Sequence, residues 1–280
     1  MTFEVLVIPY SWIHSSRPNS KFIGLRQLIN RSYDKPRYKF GIIQTPRIKT
    51  VDSLLNDLSI GIDDEICIYL LLGSQTIFDK LETYHGYIRD FSKEATNVEE
   101  SFQCDIPADF YHFFNLDRLD SEVNVQVVDD DFELDHNVLR RVIASVGMRS
   151  FHGESDPKSK DFELTSFTSF MRNTAPRFLE YVINECLLDP ERFGLLSRKG
   201  NLHDFESITL HADVIEEHNL VPYYVQNCGF EKSNKQSIKL TIDENKRAAS
   251  GVLEDGILAS RDFHIGFIHR TINIKQNRTV

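Results

Sequence analysis

Three stretches of the sequence hold residue types that do chemistry at a useful spacing. The first is Arg172-Asn173-Thr174-Ala175-Pro176-Arg177, a polar loop between the alternating run DFELTSFTSF (Asp161 to Phe170) and the apolar run RFLEYVINECLL. A strand feeding a helix through a short loop exposes backbone N–H groups at the helix's positive end, which suits a pyrophosphate. Arg172 and Arg177 flank that loop, where they would neutralise phosphate charge. The second is His211 and Asp213 in SITLHADVI; two residues apart on a strand, they share one face, with Leu210 and Ala212 on the other. Imidazole titrates in the range a general base needs, and Glu163 on the preceding strand is a carboxylate candidate for the same task. The third is NLVPYYVQNCGF, which brings Tyr223, Tyr224 and Cys228 to a Gly-aromatic turn. Cys228 is a thiol that could carry an acyl group, although no His close in sequence would activate it. His264 and His269, five apart on a strand-like run, face opposite sides and offer no metal chelate.

These residues need a frame. Phe3 to Ile8 reads as a buried strand, and Phe22 to Tyr33 as a helix with Phe22, Leu25, Leu28, Ile29 and Tyr33 on one face. Asn19 or Ser20 would cap that helix, Pro36 lies beyond its end, and Arg26, Asn30 and Arg31 fall on its polar side. Lys39 to Thr45 reads as a short strand, Val51 to Leu58 as a short helix, and Glu65 to Leu72 as the strongest strand of the first half. Asn137 to Val146 has helical amphipathicity, with Asp135 as its cap, and Gly153 to Lys160 is a loop. In the second half, Asp161 to Phe170 is a strand. The helix after it has Thr174 as N-cap and Pro176 in the first turn, and Asp189-Pro190 closes it. Ser207 to Ile215, Ile238 to Ile242 and Phe263 to Ile274 are further strands, with a short helix at Asn219 to Asn227. One mixed sheet with helices on both faces accommodates this order: an α+β fold.

Composition bounds the function. With 280 residues, 41% hydrophobic, 20 Phe and 10 Tyr, the chain has ample material for a core, which excludes wholesale disorder. Lys plus Arg number 32 against 42 Asp plus Glu, and a formal charge of -10 argues against broad nucleic-acid binding. The four cysteines form no C-x-x-C pair, so reduced thiols in a cytoplasmic or nuclear protein are expected. The opening MTFEVLVIPYSW lacks a basic n-region, and Ile66 to Gly73 is too short to span a bilayer, so no membrane association is expected.

The run Leu220-Val221-Pro222-Tyr223-Tyr224, followed by Gly229-Phe230, resembles a helix motif of the GNAT superfamily, the acyl-CoA-dependent N-acyltransferases: L-(I/V)-P-(F/Y)-Y-x-x-x-G-(F/Y). LINRSY (Leu28 to Tyr33) is similar to that family's first helix. Two departures stand out. The loop at Arg172 to Arg177 keeps a leading Arg and Ala175 but has no glycine, and Tyr224 lies five residues before Gly229 where four is usual.

The resemblance implies one GNAT-like domain over residues 1–280, with an enlarged insertion at about 76–160. It implies acetyl-CoA as cosubstrate. The cofactor would be held by the strand residues Ser166, Phe167 and Thr168, by the loop residues Arg172, Asn173, Thr174, Ala175 and Arg177, and by Asn219. Tyr224 would protonate the departing thiolate; Glu163, then His211 and Asp213, are the bases to consider. The implied acceptor is a primary amine, either a small cationic amine or a protein lysine or N-terminus. The acidic cluster from Asp129 to Asp135 would favour a polyamine or a lysine-rich peptide. The C-terminal strands could pair two subunits into a homodimer. The alternative is a catalytically silent GNAT-like scaffold that binds CoA or a protein partner. An open splay at Phe167 to Ala175 would favour the enzyme; a cleft filled by Arg177 or by the insertion would favour the scaffold.

Overall fold

The computed structural model describes residues 3–119, 123–249 and 256–274. Branched and apolar residues at Phe3–Ile8 form β1, followed by one helical turn, α1 (Tyr10–Ile13), then a 3-10 turn at Asn19–Phe22 and the long α2 (Ile23–Phe40). The turn α3 (Leu54–Asp57) leads to β2 (Ile66–Gly73). Next come α4 (Gln75–His85), α5 (Val98–Ser101), 3-10 turns at Ala108–Phe113 and Leu116–Arg118, β3 (Val123–Val127) and α6 (His136–Leu139). β4 (Val142–Ser150) and β5 (Ser159–Ser169) follow, then α7 (Thr174–Val182), a π-helical turn at Ile183–Leu187, and α8 (Pro190–Leu196). The chain continues through β6 (Ser207–Ile215), α9 (Leu220–Asn227), β7 (Glu231–Lys232), β8 (Ile238–Leu240) and β9 (Phe263–Asn273).

The strands form one mixed sheet in the order β3-β1-β2-β4-β5-β6-β9-β7, with β8 also on β9. Two pairs are parallel, β1 with β3 and β5 with β6; the other ladders are antiparallel. Helices cover both faces, so the α+β layout expected from the sequence, a mixed sheet flanked by helices, is the one observed. β2 shows why. Cys67, Tyr69 and Leu71 point to a core shared with α4, α7, α8 and α9, while Ile66, Ile68, Leu70 and Leu72 point to a second core under α2 and Trp12. A strand buried on both faces reads as an unbroken apolar run, as EICIYLLL does. Each fully buried Leu or Ile contributes about 1.5–3 kcal/mol. A third, smaller core joins Ile42 to Leu240, Phe263 and Ile265 at the far end of the sheet.

Several expectations need correcting. Asn137 to Val146 is not a helix: Asp135 does cap a helix, accepting from the Val138 N–H, but α6 lasts one turn and the rest is β4, buried from Val142 to Met148. The branched VIASV run sits between β2 and β5, and burial on both faces overrides its helical period. β4 is therefore a central strand, lying inside the range of about 76–160 that the sequence reading treats as an insertion. α2 runs through Pro36 to Phe40, which removes the strand expected at Lys39 to Thr45; only an isolated bridge, Ile43 to Ala259, remains there. Neither Asn19 nor Ser20 caps α2, which starts from the preceding 3-10 turn. Asn30 and Arg31 are buried: Asn30 brackets both backbone groups of Ile48, and Arg31 donates to the Cys104 sulfur at 3.3 Å. The segment between β2 and β4 covers the face of α2 that the sequence alone assigns to solvent.

Candidate functional site

β5 and β6 run parallel and pair from Ser159↔Ser207 to Glu163↔His211, and there the ladder ends. Beyond it, β5 stays on β4, while β6 continues on β9. The two strands thus separate toward their C-terminal ends, where ligands sit in open α/β sheets. A bulge marks the departure: Gly147 pairs with Thr165 and Ser145 with Thr168, so Val146 faces both Ser166 and Phe167. Ser166 takes φ of 49°, a conformation costing a non-glycine residue on the order of 1–3 kcal/mol. Its hydroxyl is buried, in a residue 2% exposed, and has no partner among the described residues. Phe167 leans into the opened seam, its ring 5.5 Å from Tyr224, which in turn lies 5.3 Å from Phe230 and 5.9 Å from Tyr223.

The β5–α7 loop starts α7 with Asn173, not Thr174, as the N-cap residue. Asn173 is left-handed (φ 64°), and its side chain caps nothing. Thr174 is instead the first helical residue, 0% exposed, with a hydroxyl that has no partner among the described residues. The loop's amides can be accounted for one by one. Arg172 N–H goes to the Tyr111 hydroxyl at 3.1 Å, Thr174 N–H goes to Met171 O at 3.3 Å, and Pro176 has none. That leaves Asn173 and Ala175 as the loop's remaining donors. Arg177 is paired with Asp117 at 2.8 Å, both side chains exposed, and Arg172 is exposed beside them. Asn219, left-handed at φ 56°, begins α9 at the same C-terminal end of the parallel pair.

Tyr224 is buried against Phe167 and Phe230, and burial, with smaller contributions from Tyr33, Cys228 and Tyr223, holds its hydroxyl well above the usual tyrosine range. It therefore keeps its proton at neutral pH, as a proton donor must. The extra residue before Gly229 is absorbed at the helix end. Tyr224 O accepts from both Cys228 N–H (2.9 Å) and Phe230 N–H (3.3 Å), with Gly229 at φ 66° completing the turn. Cys228 is fully buried and its thiol is pushed up to about 12, chiefly by burial; it is a core residue and not a nucleophile.

The three basic candidates lie together on the opposite sheet face. Glu163 and His211 are ladder partners, and Asp213 is the next residue on that face of β6. Two of them are already engaged. Glu163 receives Arg149 at 2.6 Å, and Arg149 also donates to Leu58 O and Ser59 O. His211 meets Asp161 at 3.2 Å and stacks on Phe151, with ring centroids 3.7 Å apart and planes 5° from parallel. Asp161 works against its own burial: hydrogen bonds from His211 and Ser159 hold its carboxyl below the usual range. Asp213 keeps an exposed surface, yet its carboxyl is pushed up to about 6, first by desolvation and then by the charge of Glu163. A carboxyl raised in this way suits a base that works near neutral pH. Arg149, Tyr111 and Asp117 were not legible as site residues. Each arrives from a distant part of the chain, and no local spacing signals it.

Among the described residues, no group of three or more His, Cys, Asp or Glu side chains could hold a metal ion. No helix among them is long and apolar enough to cross a membrane.

Three comparisons bear on identity. The solved spermidine N-acetyltransferase from Vibrio cholerae, in complex with CoA and spermine, aligns over 95% of this chain and 95% of that one, at 12% identity and a TM-score of 0.36. A chimera of the Vibrio cholerae enzyme SpeG and hSSAT aligns over 99% and 100%, at 10% identity and a TM-score of 0.35. Overlap at that level assigns no role to any residue here. In sequence, the chain is 24% identical over 265 residues to Sporulation protein RMD6 of Saccharomyces cerevisiae (strain ATCC 204508 / S288c), covering 94% of this chain and 92% of that protein. The family model of Sporulation protein RMD6 matches residues 1–272, nearly the whole length, and the chain belongs to that family.

Proposed function

We propose that this protein is an acetyl-CoA-dependent N-acetyltransferase acting on a primary amine by direct transfer. The carrying observation is the parted β5–β6 pair, whose bulge at Ser166 and Phe167 turns strand backbone toward a seam closed on one side by Tyr224. The pantetheine arm of the cofactor would pair along the freed edge of β5. Its phosphates would face the amides of Asn173 and Ala175 and the guanidinium groups of Arg172 and Arg177. The buried hydroxyls of Ser166 and Thr174, unpartnered among the described residues, fit a site that a polar ligand completes.

The reaction needs three proton transfers: two from the acceptor nitrogen and one to the thiolate. Asp213 lies across the sheet from Tyr224, so it takes a proton from the ammonium form of the acceptor through a water chain at the open end of the seam, and the freed amine attacks the thioester carbonyl. The tetrahedral intermediate collapses with cleavage of the C–S bond. Tyr224 supplies a proton to the departing thiolate, and the second proton, lost by the nitrogen as it becomes an amide, restores the Tyr224 hydroxyl. The cofactor supplies the activated thioester; the chain supplies position and protons. A second reading, a silent scaffold, is favoured by one observation: Tyr111 and Asp117 from the inserted segment occupy Arg172 N–H and Arg177.

Thermal unfolding with acetyl-CoA, CoA or ATP tests this directly. At about 1 mM ligand and a Kd of about 10 μM, binding adds roughly 2.7 kcal/mol and raises the midpoint by about 2–4 °C for a chain of this size. A shift with acetyl-CoA and CoA but not ATP is expected. No shift with any of the three would remove the cofactor site and leave the scaffold.

A further inference from the structure

The segment from Asp105 to Asp117 lies against the β5–α7 loop and presents it with what a phosphate would present. The Tyr111 hydroxyl oxygen accepts the Arg172 N–H at 3.1 Å, and the Asp117 carboxylate takes the Arg177 guanidinium at 2.8 Å. Both ends of the segment are anchored. Ile106 is buried, its N–H reaching Phe170 O at 2.6 Å; next to it Asp105 pairs with Lys35, which also donates to Ser169 O at 2.8 Å. At the other end, Phe114 is buried with its ring 5.4 Å from Phe78. Between the anchors, the 3-10 turn Ala108–Phe113 buries no residue. The chain is therefore fixed at two points. Between them Phe110, Tyr111 and Phe113 lean on the core beneath, with the Phe110 ring 5.1 Å from His85 and 5.5 Å from Tyr87. The contacts made to the loop itself, by Tyr111 and by Asp117 just past the second anchor, are polar.

We propose that this segment is a strap: its Tyr111 hydroxyl and Asp117 carboxylate hold the Arg172 N–H and the Arg177 guanidinium at the edge of the pyrophosphate site and release them when a diphosphate-bearing ligand binds. The proposal rests on the cofactor reading given above. It explains how an arginine-flanked loop at a helix N-terminus is quieted in a protein of net charge -10: an internal oxygen and an internal carboxylate stand in for the ligand. It also assigns the inserted segment a role that residue spacing did not reveal.

The experiment compares the full chain with Tyr111→Phe/Asp117→Asn, and with Asp117→Asn alone in case the double variant is poorly folded. Affinities are measured by calorimetry for acetyl-CoA and for S-acetyl-pantetheine, which lacks the pyrophosphate. Releasing one neutral hydrogen bond and one exposed ion pair should tighten acetyl-CoA binding about 3- to 10-fold in the double variant, less in the single one. Binding of S-acetyl-pantetheine should not change. Hydrogen exchange over residues 105–117 should speed up when acetyl-CoA binds the native chain. Equal acetyl-CoA affinity in native and variant proteins would overturn the strap and leave the cofactor reading standing. Equal tightening for both ligands would also overturn it, showing general loosening. Absence of acetyl-CoA binding in every form would overturn both readings together.

Discussion

In the proposed reaction Tyr224 and Asp213 divide the proton work, and each would leave a distinct signature. Replacing Tyr224 by Phe keeps the ring packed against Phe167 and Phe230 and removes only the hydroxyl. The expected result is a kcat lowered about 100-fold or more with the KM for acetyl-CoA and the Tm nearly unchanged. An unchanged kcat would make Tyr224 a packing residue. For Asp213, kcat/KM should fall with unit slope below pH of about 6, and Asp213→Asn should abolish that limb along with most of the activity. The same group leaves a mark on stability. Its folded pKa is raised, so its stabilising contribution is present below the ordinary carboxylate range and lost as pH rises through about 6. Asp213→Asn should therefore raise Tm at pH 7.5 and give no gain at pH 4. The shared face of His211 and Asp213 follows from the two-residue period of a strand and was legible in sequence. Which carboxylate stays unpaired was not, because Arg149 and Asp161 do the pairing from other strands.

Elements show where local pattern suffices and where packing overrules it. β1, β2, β5, β6, α9 and β9 lie where alternation and turn residues put them, and so the site-bearing unit from β5 to Gly229 could be read from sequence. β4 could not, because the stretch leading into it has a helical period that pairing with β2 and β5 overrides. α2 could not be read past Pro36. Its last residue, Phe40, is held by a stack on His218 at 4.8 Å, beyond the reach of any local rule. That stack predicts an acid weakness. Burial pushes the His218 imidazole down to about 4 from 6.5, so the folded protein refuses a proton that the unfolded chain accepts. Stability is complete above pH 6.5 and declines as pH falls toward 4, by roughly 3 kcal/mol. In urea titrations, His218→Phe should flatten that decline while keeping the stack. If the native and variant midpoints fall in parallel, the acid sensitivity lies elsewhere.

For the whole molecule, the seam between β5 and β6 is the question, since it joins the two sides of the sheet through a ladder that stops half-way. The single tryptophan, Trp12, is buried in the core beneath α2 and so reports on one side only. If residues 1–280 form one domain, Trp12 fluorescence and far-UV circular dichroism should change together in urea, with a common midpoint. Two separated midpoints would divide the chain at the seam.

The position of β9 between β6 and β7 also sets a timetable for biosynthesis. When the ribosome has made β6, the strand that will flank it on that side is still almost fifty residues away, since β6 ends at Ile215 and β9 begins at Phe263. Translation at about 5–20 residues per second leaves β6, with His211 and Asp213 on it, as a raw edge for about 2–10 s. During that interval the nascent chain has an unpaired strand open to wrong partners. It also lacks one wall of its polar face, so a newly made molecule would complete the candidate site only after β9 has docked.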